Sequence, residues 1–142
     1  MNTDEIERFL SRRLSAFDGV FSIDTLPCTT PHLLVCNTDP AREPGRHWVA
    51  IHMKDGRGEF FDSFGRAPNV VFEHYMNKYC ASWIFNDRQL QSIVSKFCAH
   101  YCIYYCLLRD RGVDMPKIVR SFTDDTGLND ALVHAFVCRR TV

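Results

Sequence analysis

Residues 97–109, Phe-Cys-Ala-His-Tyr-Cys-Ile-Tyr-Tyr-Cys-Leu-Leu-Arg, read as an apolar helix that must sit at the centre of whatever the chain folds into. Gly112 and Pro116 end it. A polar segment, Gln91-Ser-Ile-Val-Ser-Lys, runs straight into its start, where Cys98 stands. A thiol at a helix N-terminus lies at the positive end of the peptide dipole, which favours the reactive thiolate. Gln91, seven residues upstream, carries an amide N–H suited to a developing oxyanion. Cys98 taken alone fits core packing as well as chemistry, because free cysteine is among the most buried residue types. Its place in the first turn, after a polar stretch that should reach the surface, favours chemistry.

The chain has 142 residues, enough for one domain spanning 1–142 with a sizeable core. Apolar residues make up 46% of it, which excludes general disorder. The 17 basic and 17 acidic residues balance, so charge gives no argument for nucleic-acid or membrane binding. No apolar run approaches the roughly 20 residues of a membrane helix. The N-terminus, Met1-Asn-Thr-Asp-Glu-Ile-Glu, is acidic and predicts no secretory leader. Seven cysteines, three of them (Cys98, Cys102, Cys106) spaced by four, suit a buried stripe of reduced thiols better than a disulfide framework. The expectation is an intracellular, reducing compartment.

Helices open and close the sequence around a run of strands, which predicts an α+β class. Ile6, Phe9, Leu10, Leu14 and Phe17 follow helical spacing, with Thr3 or Asp4 as cap. Val20–Ile23 and Leu33–Cys36 read as strands. His47–Met53 and Glu59–Ser63 read as two strands joined by a hairpin turn at Asp55-Gly56. Pro68–Tyr79 reads as a helix with Pro68 in its first turn, and Cys80–Phe85 as a further strand. A last helix spans about Gly127 to Val137, capped by Asp125 or Thr126, with Leu128, Leu132, Ala135 and Phe136 on one face.

The hairpin turns three weak signals into one geometric statement. His47 opens its first strand after a glycine turn, and Asp62 ends its second. If Asp55-Gly56 closes the hairpin, those two ends meet. A carboxylate beside His47 fixes the ring's tautomer, and the imidazole can then hold Cys98 as thiolate and protonate a leaving amine. His52 is the competing base, an odd offset of five along the strand and so on the opposite face. Taken singly, a surface histidine, a strand-end carboxylate and a solvated glutamine are the ordinary explanations of His47, Asp62 and Gln91.

In this order, the residues resemble the adenovirus-type cysteine proteases, the adenain family, within the papain-like clan that also holds the SUMO-specific proteases. The matching pieces are Asn37-Thr38, Gly45-Arg46-His47-Trp48, Phe61-Asp62-Ser63-Phe64-Gly65, and Gln91 with Cys98 and Cys102. The N-terminal helix and the stretch from Phe122 to Asn129-Asp130 are also similar. The resemblance implies a papain-like α+β fold, with a mostly antiparallel central sheet flanked by helices and the nucleophile at the N-terminus of a buried central helix. It implies His47 as base, Asp62 as its partner, Cys98 as nucleophile, and an oxyanion hole from Gln91 and the Cys98 backbone N–H. It further implies a protein or polyprotein substrate cut after small, glycine-type residues, maturation of viral precursors, and action in the host nucleus and virion.

Adenoviral enzymes are stimulated by DNA and by a short peptide that can be disulfide-linked. Cys80 falls near their linking cysteine and is the candidate for that role here, although a strand-end core thiol is its ordinary explanation. The chain is shorter than those enzymes, and its neutral charge argues against DNA stimulation. Ala99 stands where glycine usually follows the nucleophile; the backbone N–H survives, so activity is still expected. Three rival readings remain. A zinc site at Cys98, His100, Cys102 and Cys106 is disfavoured, because His100 points roughly 160° from the cysteine face of a helix. The others are a SUMO- or ubiquitin-like isopeptidase and an inactive protease fold serving as a binding module. The expected state is a monomer without a required cofactor or metal.

Overall fold

The computed structural model describes residues 1–42 and 47–141. The elements run α1 (Thr3–Ser11), β1 (Gly19–Ser22), β2 (Leu33–Asn37), β3 (Trp48–Lys54), β4 (Arg57–Phe61), α2 (Val70–Tyr79), β5 (Ser82–Phe85), α3 (Cys98–Asp110), α4 (Met115–Arg120) and α5 (Thr126–Thr141). The five strands form one sheet in sequence order. Its two inner pairings, β2/β3 and β3/β4, are antiparallel as expected. Its two outer pairings, β1/β2 and β4/β5, are parallel.

Strand β3 explains the layering. Every residue from Trp48 to Met53 is buried, so both faces of the strand are covered. Trp48 and Ala50 join the core made by α1, α3, α4 and α5. Val49, Ile51 and Met53 join a second core built with Phe72 and Met76 of α2. The alternation of a strand thus feeds two hydrophobic layers at once.

Helix α3 fills the larger layer. Tyr101, Cys102, Ile103, Tyr105 and Cys106 are all fully buried, as the apolar run requires. The Tyr105 ring stacks on Phe61 with centroids 4.7 Å apart, and its hydroxyl donates to Glu59 at 2.6 Å. Arg109 Nε completes this buried group by pairing with Glu59 Oε1 at 3.2 Å. The result fixes the far end of α3 against β4 while its N-terminus points at the hairpin's open end.

Several local expectations need correction. Helix α1 stops at Ser11, short of Phe17, and its cap is Asn2, which accepts from Glu5 N while the Glu5 side chain returns to the cap backbone. Asn69 caps α2, so Pro68 precedes the helix. Cys80 is the C-cap of α2, outside β5. Pro116 lies within the first turn of α4, a helix the sequence reading passed over. In α5 the buried face is Asn129, Asp130, Val133 and Val137, whereas Leu128 and Leu132 are about half exposed. Polar Asn129 and Asp130 face inward because they bind the loop around Gln91. The Asp55-Gly56 turn behaves as expected: both residues have positive φ, 53° and 75°, as a two-residue hairpin turn demands. No helix among the described residues is long and apolar enough to cross a membrane.

Candidate active site

Asp62 directly follows β4, and its carboxylate is set by local geometry before any partner is considered. Its Oδ1 accepts the Phe64 N–H at 2.8 Å, and its carbonyl accepts Gly65 N–H at 2.8 Å. Gly65 makes this turn with φ of 70°. A Cβ there would stand 2.5 Å from the backbone carbon of Arg88, so both the dihedral and the space call for glycine. Asn86 clamps the same residue from the other side. Its side chain accepts Asp62 N–H at 2.9 Å and donates to the Asp62 carbonyl at 2.7 Å, both buried.

His47 immediately precedes β3, beside that turn. Its Nε2 lies 2.7 Å from Asp62 Oδ1. Its ring packs at 4.8 Å on the Phe64 ring. The other ring nitrogen, Nδ1, is buried and takes no hydrogen bond from the described residues. Burial alone would lower the histidine's pKa, but the Asp62 hydrogen bond, Cys98 and the Asp62 charge overcome it and raise the value to about 9. Cys98 is thus among the groups that favour the charged ring.

Cys98 is the first residue of α3 and is 6% exposed. No side chain caps this helix, and its first turn holds no acidic residue. The helical N–H groups at Cys98 are therefore free of side-chain competition. Along the same helix Cys102 and Cys106 are fully buried, and burial pushes both thiols well above the usual range. No group of three or more potential ligands for a metal ion occurs among the described residues.

Gln91 is completely buried. Its backbone N–H donates to the Ser63 carbonyl at 3.0 Å, and its side-chain carbonyl accepts the Ser63 hydroxyl at 2.6 Å. Its amide nitrogen donates to the carbonyl and hydroxyl of Ser95 at 3.1 and 3.0 Å. The flanking residues are pinned by α5 and α3. The Leu90 carbonyl accepts from Asn129 Nδ2 at 3.1 Å and lies 3.1 Å from Tyr101 Oη. Asp130 accepts Ser92 N–H at 3.3 Å and Tyr101 O–H at 2.7 Å.

A cavity of about 390 Å³ is lined by Met1, Trp48, Phe64, Gln91, Ser95, Lys96 and Cys98. The structure thus brings His47 to Asp62 and sets Gln91 and Cys98 on one cavity. Gly45 and Arg46 of the quoted motif lie outside the described residues. His52 is elsewhere: its Nδ1 accepts from Arg109 Nε at 3.1 Å. Burial, with Arg109, lowers its pKa to about 4, so the ring is neutral. Cys80 is buried against Gly58, where an added Cβ would meet its sulfur at 2.6 Å, and burial raises its pKa. That is the setting of a packed core thiol. His100 packs on Phe97 and His134. Ser63, Asn86, Ser95, Tyr101 and the inward pair Asn129–Asp130 support the site and were not assigned by sequence reasoning. Ser63, inside the quoted Phe-Asp-Ser-Phe-Gly run, and Asn129-Asp130, inside the similar C-terminal stretch, carried a signal; Asn86, Ser95 and Tyr101 carried none.

No protein-family model and no curated protein matches the chain. Two crystal structures of the ASFV pS273R protease are similar to it. One aligns at a TM-score of 0.67 with 16% identity, covering 94% of this chain and 66% of that one. A selenomethionine form aligns at 0.54 with 21% identity, covering 73% and 44%. The chain therefore spans about half to two thirds of the length of these proteins. The likeness places the chain in the papain-like α+β protease fold.

Proposed function

We propose that the chain is a cysteine endopeptidase of the adenain type, using Cys98, His47 and Asp62 with an oxyanion hole fed by Gln91 and the Cys98 backbone N–H. The observation that carries this reading is His47, bonded through Nε2 to Asp62 at 2.7 Å, with its pKa raised by Asp62 and by Cys98 at the start of α3.

The chemistry follows from these positions. Asp62 holds the imidazolium, which favours the Cys98 thiolate. The sulfur attacks the scissile carbonyl carbon, and the carbonyl electron pair moves onto oxygen. Donors at the α3 N-terminus and beside Gln91 stabilise that oxyanion. Collapse breaks the C–N bond, and His47 gives its proton to the departing amine. Water, deprotonated by His47, then cleaves the thioester and restores the thiol.

The substrate in this reading is a protein or polyprotein chain cut after glycine-type residues, as the resemblance to the adenain family implies. Precursor maturation in a virus or virus-like element, in a reducing compartment such as the host nucleus and virion, is the matching setting. The burial of Cys80 argues against a disulfide-linked activating peptide at that thiol in this state.

The test is cleavage of a peptide panel with Gly-Gly, Gly-Ala and bulky residues before the scissile bond, alongside a SUMO fusion. Cleavage of the glycine peptides that vanishes in Cys98→Ala supports the proposal. Release of SUMO alone would assign the isopeptidase alternative. Undiminished cleavage by Cys98→Ala, or none by the parent chain, would overturn it.

A further inference from the structure

Gln91 is an awkward oxyanion donor as it stands. Its side chain is wholly buried, and its amide is engaged at both ends. The orientation of that amide is fixed by its partners: the Ser95 backbone carbonyl can only accept, so the end facing it, 3.1 Å away, must be nitrogen. The other acceptor of this nitrogen is the Ser95 hydroxyl at 3.0 Å. The amide oxygen is held by the Ser63 hydroxyl at 2.6 Å. Both contacts of the nitrogen therefore end on one residue.

Ser95 is differently placed. It is half-buried and lines the same cavity as Cys98. Its own N–H donates to Ser92 O at 3.1 Å, which closes the loop three residues before Cys98. A hydroxyl that accepts one hydrogen bond still has its proton to give, and Ser95 Oγ donates to no group among the described residues. Accepting from an amide also polarises that O–H and strengthens it as a donor.

Building on the peptidase reading above, but moving its side-chain oxyanion donor from Gln91 to Ser95, we propose that Ser95 is a catalytic residue, its Oγ–H presenting the side-chain hydrogen bond to the oxyanion while Gln91 acts behind it as the positioning and polarising residue. When the Cys98 sulfur bonds to the carbonyl carbon, the C=O electron pair moves onto oxygen. That oxygen is met by the Cys98 backbone N–H and by Ser95 O–H. No proton transfers to it, and both hydrogen bonds are released when the carbonyl reforms. The chain Ser63 to Gln91 to Ser95 then has a consistent direction, each group donating to the next and the last one facing the cavity.

The proposal separates cleanly from thiolate formation. Alkylation of Cys98 by chloroacetamide is a direct displacement that develops no oxyanion, whereas acyl transfer does. We therefore compare the parent chain, Ser95→Ala and Ser95→Thr in two assays: Cys98 alkylation rate, and kcat and KM for the p-nitrophenyl ester of acetyl-Gly-Gly. The expected result is a loss of roughly 10²-fold in kcat for Ser95→Ala, with KM and alkylation rate held. Ser95→Thr, which keeps the hydroxyl, should recover most of kcat. A Ser95→Ala variant that keeps the parent's kcat would mean that a freed Gln91 N–H serves directly, and would overturn the proposal. Equal losses in Ser95→Ala and Ser95→Thr, or a parallel loss of alkylation, would assign Ser95 to loop packing and overturn it too. A parent chain with no Cys98-dependent turnover would instead overturn the peptidase reading, and this inference with it.

Discussion

His47 Nε2 and Asp62 Oδ1 stand 2.7 Å apart, and that single contact orders the rest of the site. It commits one ring nitrogen to the carboxylate and leaves the other, Nδ1, buried without a hydrogen-bond partner among the described residues. It also carries a sign. The pair holds the histidine's pKa up near 9. Its stabilising contribution is fully present below the ordinary histidine value of about 6.5 and is lost as pH climbs through about 9.

Asp62→Asn removes the charge and keeps the shape. We expect kcat/KM to fall by roughly 10²-fold, less than for loss of the nucleophile, because the carboxylate orients the ring and accepts no proton. Without that carboxylate the His47 pKa should drop from about 9. The basic limb of the pH–rate profile should then move to lower pH. A limb that stays in place would mean another group sets it.

Asn86 holds Asp62 by two buried backbone hydrogen bonds. Asn86→Ala leaves a buried N–H and a buried carbonyl unpaired. Urea denaturation should register a loss of about 2–4 kcal/mol. In the folded fraction kcat should fall more than KM, because the carboxylate loses its mooring and the cavity walls do not.

His100 is a half-buried neutral ring whose buried Nδ1 has no hydrogen-bond partner among the described residues. Burial, with the neighbouring N-terminal amine and His134, lowers its pKa to about 4. The unfolded chain takes up this proton near 6.5, so the folded state loses stability as pH falls from about 6.5 to about 4. His100→Phe should flatten the fall of Tm across that window and leave Tm at pH 8 nearly unchanged. Thermal melts at half-unit pH steps read this directly.

Much of the site's supply was visible in one dimension, and the reason is local. The Asp55-Gly56 turn sets the hairpin register, which brings the start of β3 to the end of β4, and the turn from Asp62 to Gly65 then leaves the carboxylate 2.7 Å from His47 Nε2. Cys98 was legible because a helix start is written in the change from polar to apolar residues. What escaped depended on packing between distant segments. Asn129 and Asp130 interrupt an otherwise apolar face of α5, so the periodicity picked Leu128 and Leu132 instead. They face inward to bind Leu90 and Ser92, thirty-eight or thirty-nine residues away. Asn86 has no local pattern at all: its role exists only because Asp62 lies across the sheet edge. Helix α4 was missed because Pro116 reads as a terminator, although proline is tolerated in a first turn.

The central claim is that His47 activates Cys98, and the rate of Cys98 alkylation at neutral pH tests it most directly. Chloroacetamide labelling, read by peptide mass spectrometry, should modify Cys98 ahead of the buried Cys102 and Cys106. In His47→Gln the Cys98 rate should fall by roughly 10-fold or more, because the imidazole that favours the thiolate is gone. A Cys98 rate in His47→Gln equal to that of the parent chain would contradict the account.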